Sequence, residues 1–196
     1  MAFPISSLRP LHPGLVQHRQ LARRSRTALL QWISDSGCNW CLTLNPNRGL
    51  PLSTETGIIR QAFDDTDREL IGPRYRFKDA RRRQLGFVFA EHVRSNLHFH
   101  IALRPGDSDS LSEQRRHAER LAENWWMRVP SGSFNIAEAT SEEGWARYIT
   151  KEIYRQDFEF WSSSMWWPER QRRHVLGSSW SDPSGEVGVI KLSHTI

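Results

Sequence analysis

Two histidines separated by one apolar residue, His98-Phe99-His100, lie within the run Leu97-His98-Phe99-His100-Ile101-Ala102-Leu103. Side chains alternate between the faces of a strand, so both imidazoles point one way while Leu97, Phe99, Ile101 and Leu103 point the other, toward a core. Neutral imidazole is the commonest protein metal ligand, and two on one strand face can share an ion. Such a pair can equally be polar surface, so the chemistry turns on what else reaches that face. Leu85 to Glu91 reads as a preceding strand, and the short polar stretch Val93 to Asn96 joins the two as an antiparallel hairpin. With the turn centred on Arg94-Ser95, Glu91 stands opposite His98 on the face of both histidines. His92 then faces away unless a bulge intervenes, which makes Glu91 the preferred third ligand and keeps His92 in reserve. Nitrogen and oxygen donors with open positions suit Mg²⁺ or Mn²⁺ acting as a Lewis acid on a phosphate, whereas a closed structural zinc site wants a fourth protein ligand. The alternative for Glu91 is an ordinary surface carboxylate paired with an arginine.

The second chemically suggestive group is Tyr148-Ile149-Thr150-Lys151. Thr140 or Ser141, followed by Glu142 and Glu143, opens a helix expected to run through Tyr154, because caps and early acidic residues favour that end of the helix dipole. At about 100° per residue, Tyr148 and Lys151 stand only about 60° apart, beside an apolar face of Trp145, Ile149 and Ile153. Phenols ionise at about pH 10, so phenolic attack on a phosphodiester needs a positive neighbour and a polarised phosphorus. A lysine and a metal ion supply these two needs. The plainer alternative places Tyr148 at a helix boundary with its hydroxyl in water.

The elements that must carry these groups follow from periodicity and punctuation. Residues 1 to 14 hold Pro4, Pro10, Pro13 and Gly14 and read as an irregular lead-in. Leu15 to about Ser34 suits a basic amphipathic helix ended by Gly37, its arginine face either touching nucleic acid or simply solvated. Asn39 to Asn45 alternates as a strand and stops at Pro46-Asn47. A helix is expected from Thr54 to Ile71 with Ser53 or Thr54 as its cap, and another from a Ser110 or Ser112 cap to Met127. Gly132 to Ala139 completes a count of four strands and four helices. Cys38 and Cys41 lack two further zinc ligands and read as free thiols near the core.

The chain of 196 residues suits one domain with an appendage. Its 38% hydrophobic and 25% charged content describes a soluble globular protein, and no apolar run of 18 residues or signal-peptide pattern occurs, so a cytoplasmic location and no membrane partner are expected. A net charge of +5 comes with arginine clusters at 23, 24 and 26, at 81 to 83, at 115 and 116, and at 170, 172 and 173, which favours a polyanionic partner. No Gly-x-x-x-x-Gly-Lys-Ser/Thr phosphate loop is present, so no helicase motor is evident.

Three motifs, in this order, resemble those of the HUH (His-hydrophobic-His) endonucleases of the rolling-circle replication initiator type. They are the strand Cys41-Leu42-Thr43-Leu44-Asn45, the pair His98-Phe99-His100, and Tyr148-Ile149-Thr150-Lys151. The resemblance covers residues 38 to 156, between a basic helical extension at 1–37 and a Trp/Arg-rich extension at 157–196. It implies an α+β fold with a central antiparallel sheet, ferredoxin-like or RNA-recognition-like, and helices packed on one side. It also makes His98, His100 and an acidic Glu91 the ligands of Mg²⁺ or Mn²⁺, Tyr148 the nucleophile and Lys151 its electrostatic helper. Tyr154 lies six residues after Tyr148, not the four of the paired-tyrosine subtype, which points to a single-tyrosine enzyme without excluding Tyr154. The implied activity is site-specific cleavage of single-stranded DNA, at a site that could be exposed in a hairpin origin, through a 5′-phosphotyrosine. The implied setting is the cytoplasm of a bacterial or archaeal host that supplies helicase and polymerase. A single-tyrosine transposase and a non-cleaving origin-binding protein are the rival readings. DNA contact is assigned to Thr43, Asn45, Arg81, Arg82, Arg83 and Arg147, with Trp125, Trp126, Trp145 and the later tryptophans available to stack on bases.

Overall fold

In the computed structural model, residues 26–108, 110–139, 141–151, 158–169 and 171 are described. Alternating apolar runs build five strands: β1 (Trp40–Asn45), β2 (Leu85–Glu91), β3 (His98–Arg104), β4 (Ser133–Glu138) and β5 (Phe158–Ser162). They form one sheet in the order β4-β1-β3-β2-β5, and every neighbouring pair is antiparallel. Among the described residues four α-helices accompany it: α1 over residues 26–35, α2 (Leu52–Ile71), α3 (Leu111–Trp126) and α4 (Glu142–Ile149). The class is therefore α+β on an antiparallel sheet, as the sequence leads one to expect.

The two long helices pack on one face. Leu42, Leu44, Phe99 and Ile101 of the sheet meet Ile59 and Phe63 of α2 and Leu121 and Trp125 of α3 in one buried cluster. Burying each such side chain contributes about 1.5–3 kcal/mol relative to leaving it in water. A second cluster lies on the opposite face, where Phe87, Phe89 and Phe160 pack with Leu29 and Ile33 of α1 and with Ala146 and Ile149 of α4. Trp32 of α1 meets Phe87 edge-on with ring centroids 4.5 Å apart. The tyrosine-bearing α4 is thus seated on the sheet beside α1, which lies outside the stretch covered by the three motifs.

Several boundaries differ from expectation. α2 starts at Leu52 after Pro51, without a side-chain cap, and not at a Ser53 or Thr54 cap. Its first turn is held instead by the buried Glu55, paired with Arg48 at 2.8 Å. The cap of α3 is Ser110, whose hydroxyl accepts from the Glu113 N–H at 3.2 Å. α4 opens at the expected Ser141 cap, with Gly144 N–H donating at 3.1 Å, but ends at Ile149. There the Thr150 hydroxyl turns back onto the Ala146 carbonyl at 2.8 Å, an alternative to continuing the helical ladder. The fifth strand was not anticipated: residues 158–162 pair with β2, so the sheet extends past residue 156. Residues 1–25, Tyr154, Trp180 and Arg170, Arg172 and Arg173 lie outside the described residues. Among the described residues no helix is long and apolar enough to cross a membrane.

Gly106, just after β3, leaves no room for a side chain, because a Cβ there would overlap the Arg82 carbonyl group. Backbone does not yield as a flexible side chain does, so Gly106→Ala is expected to cost about 1–3 kcal/mol, read as a lower urea midpoint at unchanged slope.

Candidate metal centre and the adjoining tyrosine

Strand register assembles the site. The hairpin pairs Glu91 with His98 and Phe89 with His100, while β1 pairs Thr43 with His100 from the other side. Pleating then places Glu91, His98, His100 and Thr43 on one face, opposite the α2–α3 layer. Glu91 and His100 are buried, at 2% and 5% exposure, and His98 is half-buried. His98 Nε2 lies 3.2 Å and His100 Nε2 3.6 Å from the same Glu91 oxygen, Oε2. One donor atom from each of the three residues falls within 4.8 Å of the others.

Both imidazoles are held from behind. His98 Nδ1 is 3.1 Å from the Asn96 carbonyl oxygen, and His100 Nδ1 is 3.1 Å from the Thr43 hydroxyl. Each ring therefore presents Nε2 to the common centre. Burial alone would raise the Glu91 pKa, but hydrogen bonds from His100 and His98, with the charges of His100 and Lys151, outweigh it and bring the pKa down to about 2. The Glu91 carboxylate in turn pushes the His98 imidazole above its ordinary value, chiefly through their hydrogen bond. The second carboxylate oxygen, Glu91 Oε1, is buried and has no hydrogen-bond partner among the described residues. An ionised carboxylate with one oxygen left unsatisfied in the interior calls for a cation, and two Nε2 lone pairs supply the rest of a donor set that fits a divalent metal.

The nucleophile candidate adjoins this cluster. Tyr148, 46% exposed, lies edge-on to His100 with ring centroids 5.4 Å apart. Trp145, one helical turn earlier, stacks on Tyr148 at 5.3 Å with planes 17° apart and meets His100 edge-on at 5.9 Å. Lys151 sits in the turn after α4, its N–H bonded to the Tyr148 carbonyl, and its Nζ is 3.9 Å from the centre of the Tyr148 ring. The ammonium thus lies over the ring as a cation–π contact. No family model, curated protein or solved structure matches this chain. What the site can do rests on its own geometry.

The residues assigned to DNA divide sharply. Thr43 and Asn45 are half-buried on the cluster's face, and Asn135 of β4, paired with Thr43, is exposed and continues that polar strip toward the sheet edge. Arg147 is exposed beside Tyr148. Arg81 and Arg82 are exposed but precede β2, about 20 Å of strand away from Glu91. Arg83 is a correction: it is only 2% exposed, with its guanidinium on Asp67 at 2.7 Å and between the rings of Tyr75 and Trp167. It is not available to a DNA backbone. Arg115 and Arg116 pair along α3 with Glu119 and Glu113. Trp125 is fully buried and Trp161 and Trp167 nearly so, so these three are core, whereas Trp126 is 46% exposed.

Four contacts around the site are not given by the sequence reading. Trp145 was read only as apolar helix face and possible base-stacker, although its three-residue spacing from Tyr148 is enough to predict contact. Strict alternation turns His92 away and leaves it in reserve, but at φ +54° its ring comes to 5.2 Å from that of His98. Arg26 donates to the Arg147 carbonyl at 3.1 Å and the Thr150 hydroxyl at 3.2 Å, placing a cation at the C-terminal end of α4. Thr43 was read for DNA, and its bond to His100 has no signal in the sequence.

Proposed function

We propose that this protein is a metal-dependent nicking and joining enzyme for single-stranded DNA, acting through Tyr148 in the manner of a rolling-circle replication initiator. The observation that carries the reading is the seating of Tyr148 against His100, a member of the three-residue donor cluster. A bare donor cluster has many uses, but one with a phenol and an ammonium at its rim suits phosphoryl transfer to tyrosine.

Glu91, His98 and His100 hold a divalent ion, with Mg²⁺ and Mn²⁺ the best match to a set of one carboxylate and two imidazoles with positions left open. When bound, the ion polarises the scissile phosphate and offsets its negative charge. Tyr148 Oη attacks phosphorus and its proton passes to solvent. The new Oη–P bond leaves the phosphate on the 5′ end of the downstream strand, and the P–O3′ bond breaks, its leaving oxygen taking a proton from solvent to become the free 3′-hydroxyl of the upstream strand. Lys151, its ammonium lying over the ring, offsets negative charge that develops during the attack, and Trp145 fixes the ring's orientation. Because the phosphodiester energy is retained in the phosphotyrosine, the 3′-hydroxyl can reverse the step and rejoin strands. The polar strip of Asn45 and Asn135 provides a path for the strand toward the cluster.

Incubation of the protein with Mn²⁺ and pooled single-stranded oligonucleotides is expected to yield a band of retarded protein on a denaturing gel. That band should vanish with chelator, and its peptide map should place the nucleotide on Tyr148. Absence of any adduct from wild type with Mn²⁺ or Mg²⁺ across a fully randomised pool would sink the reading.

A further inference from the structure

We propose that Thr43 is a positioning residue of the metal centre, holding His100 in the tautomer whose Nε2 is free to ligate; this rests on the metal-binding part of the function proposed above. A neutral imidazole carries one N–H, and the nitrogen bearing it cannot bind a metal. For neutral His98 the backbone settles which one: the Asn96 carbonyl only accepts, so Nδ1 donates to it, and Nε2, which faces Glu91 Oε2 at 3.2 Å, is the nitrogen that gives a cation its lone pair. His100 has no such carbonyl partner on Nδ1. Its Nδ1 faces the Thr43 hydroxyl at 3.1 Å, across the directly opposed position of β1.

A hydroxyl can donate or accept, so its direction is set by the far side of the ring. There His100 Nε2 points to Glu91 Oε2 at 3.6 Å, inside the donor cluster. With a cation held between them, Nε2 must supply the lone pair, Nδ1 carries the proton, and Thr43 Oγ1 accepts it. His100 is 5% exposed, so solvent is poorly placed to replace the hydroxyl. Partners that fix a ligating histidine from behind raise its basicity and orient the ring, and their removal costs about 10–100-fold in metal affinity. The sheet supplies the pairing: β1 and β3 are neighbours, and the register puts residue 43 against residue 100. Thr43 thereby takes a role at the metal in place of the direct DNA contact first assigned to it.

The test uses Mn²⁺ alone as probe, with free and bound ion followed by electron paramagnetic resonance on the full chain. Thr43→Val keeps shape and removes the acceptor, and is expected to weaken Mn²⁺ binding about 10–100-fold. Thr43→Ser restores an acceptor and should return affinity to within about threefold of wild type, a rescue that packing alone would not give. Urea unfolding of the metal-free proteins checks that each variant is folded, and Thr43→Ala is read in the same way if valine is not tolerated. Equal Mn²⁺ affinity in wild type and a folded Thr43→Val or Thr43→Ala protein overturns the role, whether or not oligonucleotide binding changes. Failure of wild type itself to bind Mn²⁺ overturns the metal reading, and the Thr43 role with it.

Discussion

A Tyr148→Phe protein is expected to bind Mn²⁺ and single-stranded DNA within about twofold of wild type and to form no covalent adduct, a loss on the order of 10⁴-fold or more in cleavage. The substitution removes one oxygen and little else. Stacking on Trp145, the edge contact with His100 and the Lys151 ammonium over the ring all involve the ring itself, which phenylalanine keeps. The loss should therefore fall on the chemical step and leave the affinities in place. Lys151→Met is the graded companion: the nucleophile remains but its cation is gone, so adduct should still form, about 10²–10³-fold more slowly. Gel-resolved single-turnover kinetics at saturating Mn²⁺ separate the two. If Tyr148→Phe retains an adduct that maps to Tyr154, the assignment of the nucleophile is wrong and the later tyrosine takes its place.

How far such a site can be read from a sequence depends on which contacts are local. Glu91 opposite His98 was legible because a short polar turn couples the two strands, and turn length sets hairpin register. The pair Tyr148 and Lys151 was legible for a similar reason, and the one-turn spacing survives even though α4 ends between them. Thr43 against His100 is different in kind. Those residues are 57 apart, with α2 and β2 between, and no turn rule relates their strands. His92 shows the limit of alternation from another side: one left-handed residue at the end of β2 reverses the face that period 2 assigns.

The same distinction explains the errors over charge and aromatic residues. Arg81, Arg82 and Arg83 read as one basic run, but the first two lie exposed in a 3₁₀ turn while the third, which closes that turn, is buried. Its acidic partner Asp67 sits on α2, and a third contact, Gln171, is 88 residues away. Residues 158–162 were missed as a strand because a five-residue edge strand within a Trp-rich segment offers too few alternations to separate it from a surface cluster. Trp161 then proves to be core because β5 turns it toward the α2–α3 layer. Composition raises the expectation of a polyanionic partner, but does not say which arginines are already paired.

Replacing that buried arginine, as in Arg83→Met, is expected to lower folding stability by about 3–5 kcal/mol at pH 8 and by clearly less at pH 5. Arg83 and Asp67 are 2% and 1% exposed and joined at 2.7 Å, with the Gln84 N–H donating to the other Asp67 oxygen at 3.1 Å. Removing the cation leaves a buried carboxylate with one neutral donor. Burial already pushes the Asp67 pKa up to about 6 against the pull of Arg83, so its ionisation opposes folding, and stability falls as pH rises from about 3.8 through 6. Without Arg83 the folded-state pKa moves higher still, and the loss continues into a range where the wild-type curve is flat. Below about pH 6 the carboxyl is protonated in both folded proteins, and the difference shrinks toward lost packing between Tyr75 and Trp167. Asp67→Asn in the same chain removes the orphaned charge and should recover a large part of the deficit at pH 8. Urea midpoints at the two pH values decide it. A cost independent of pH, or a double variant no better than Arg83→Met, would show that the pair acts through packing and not through its charge.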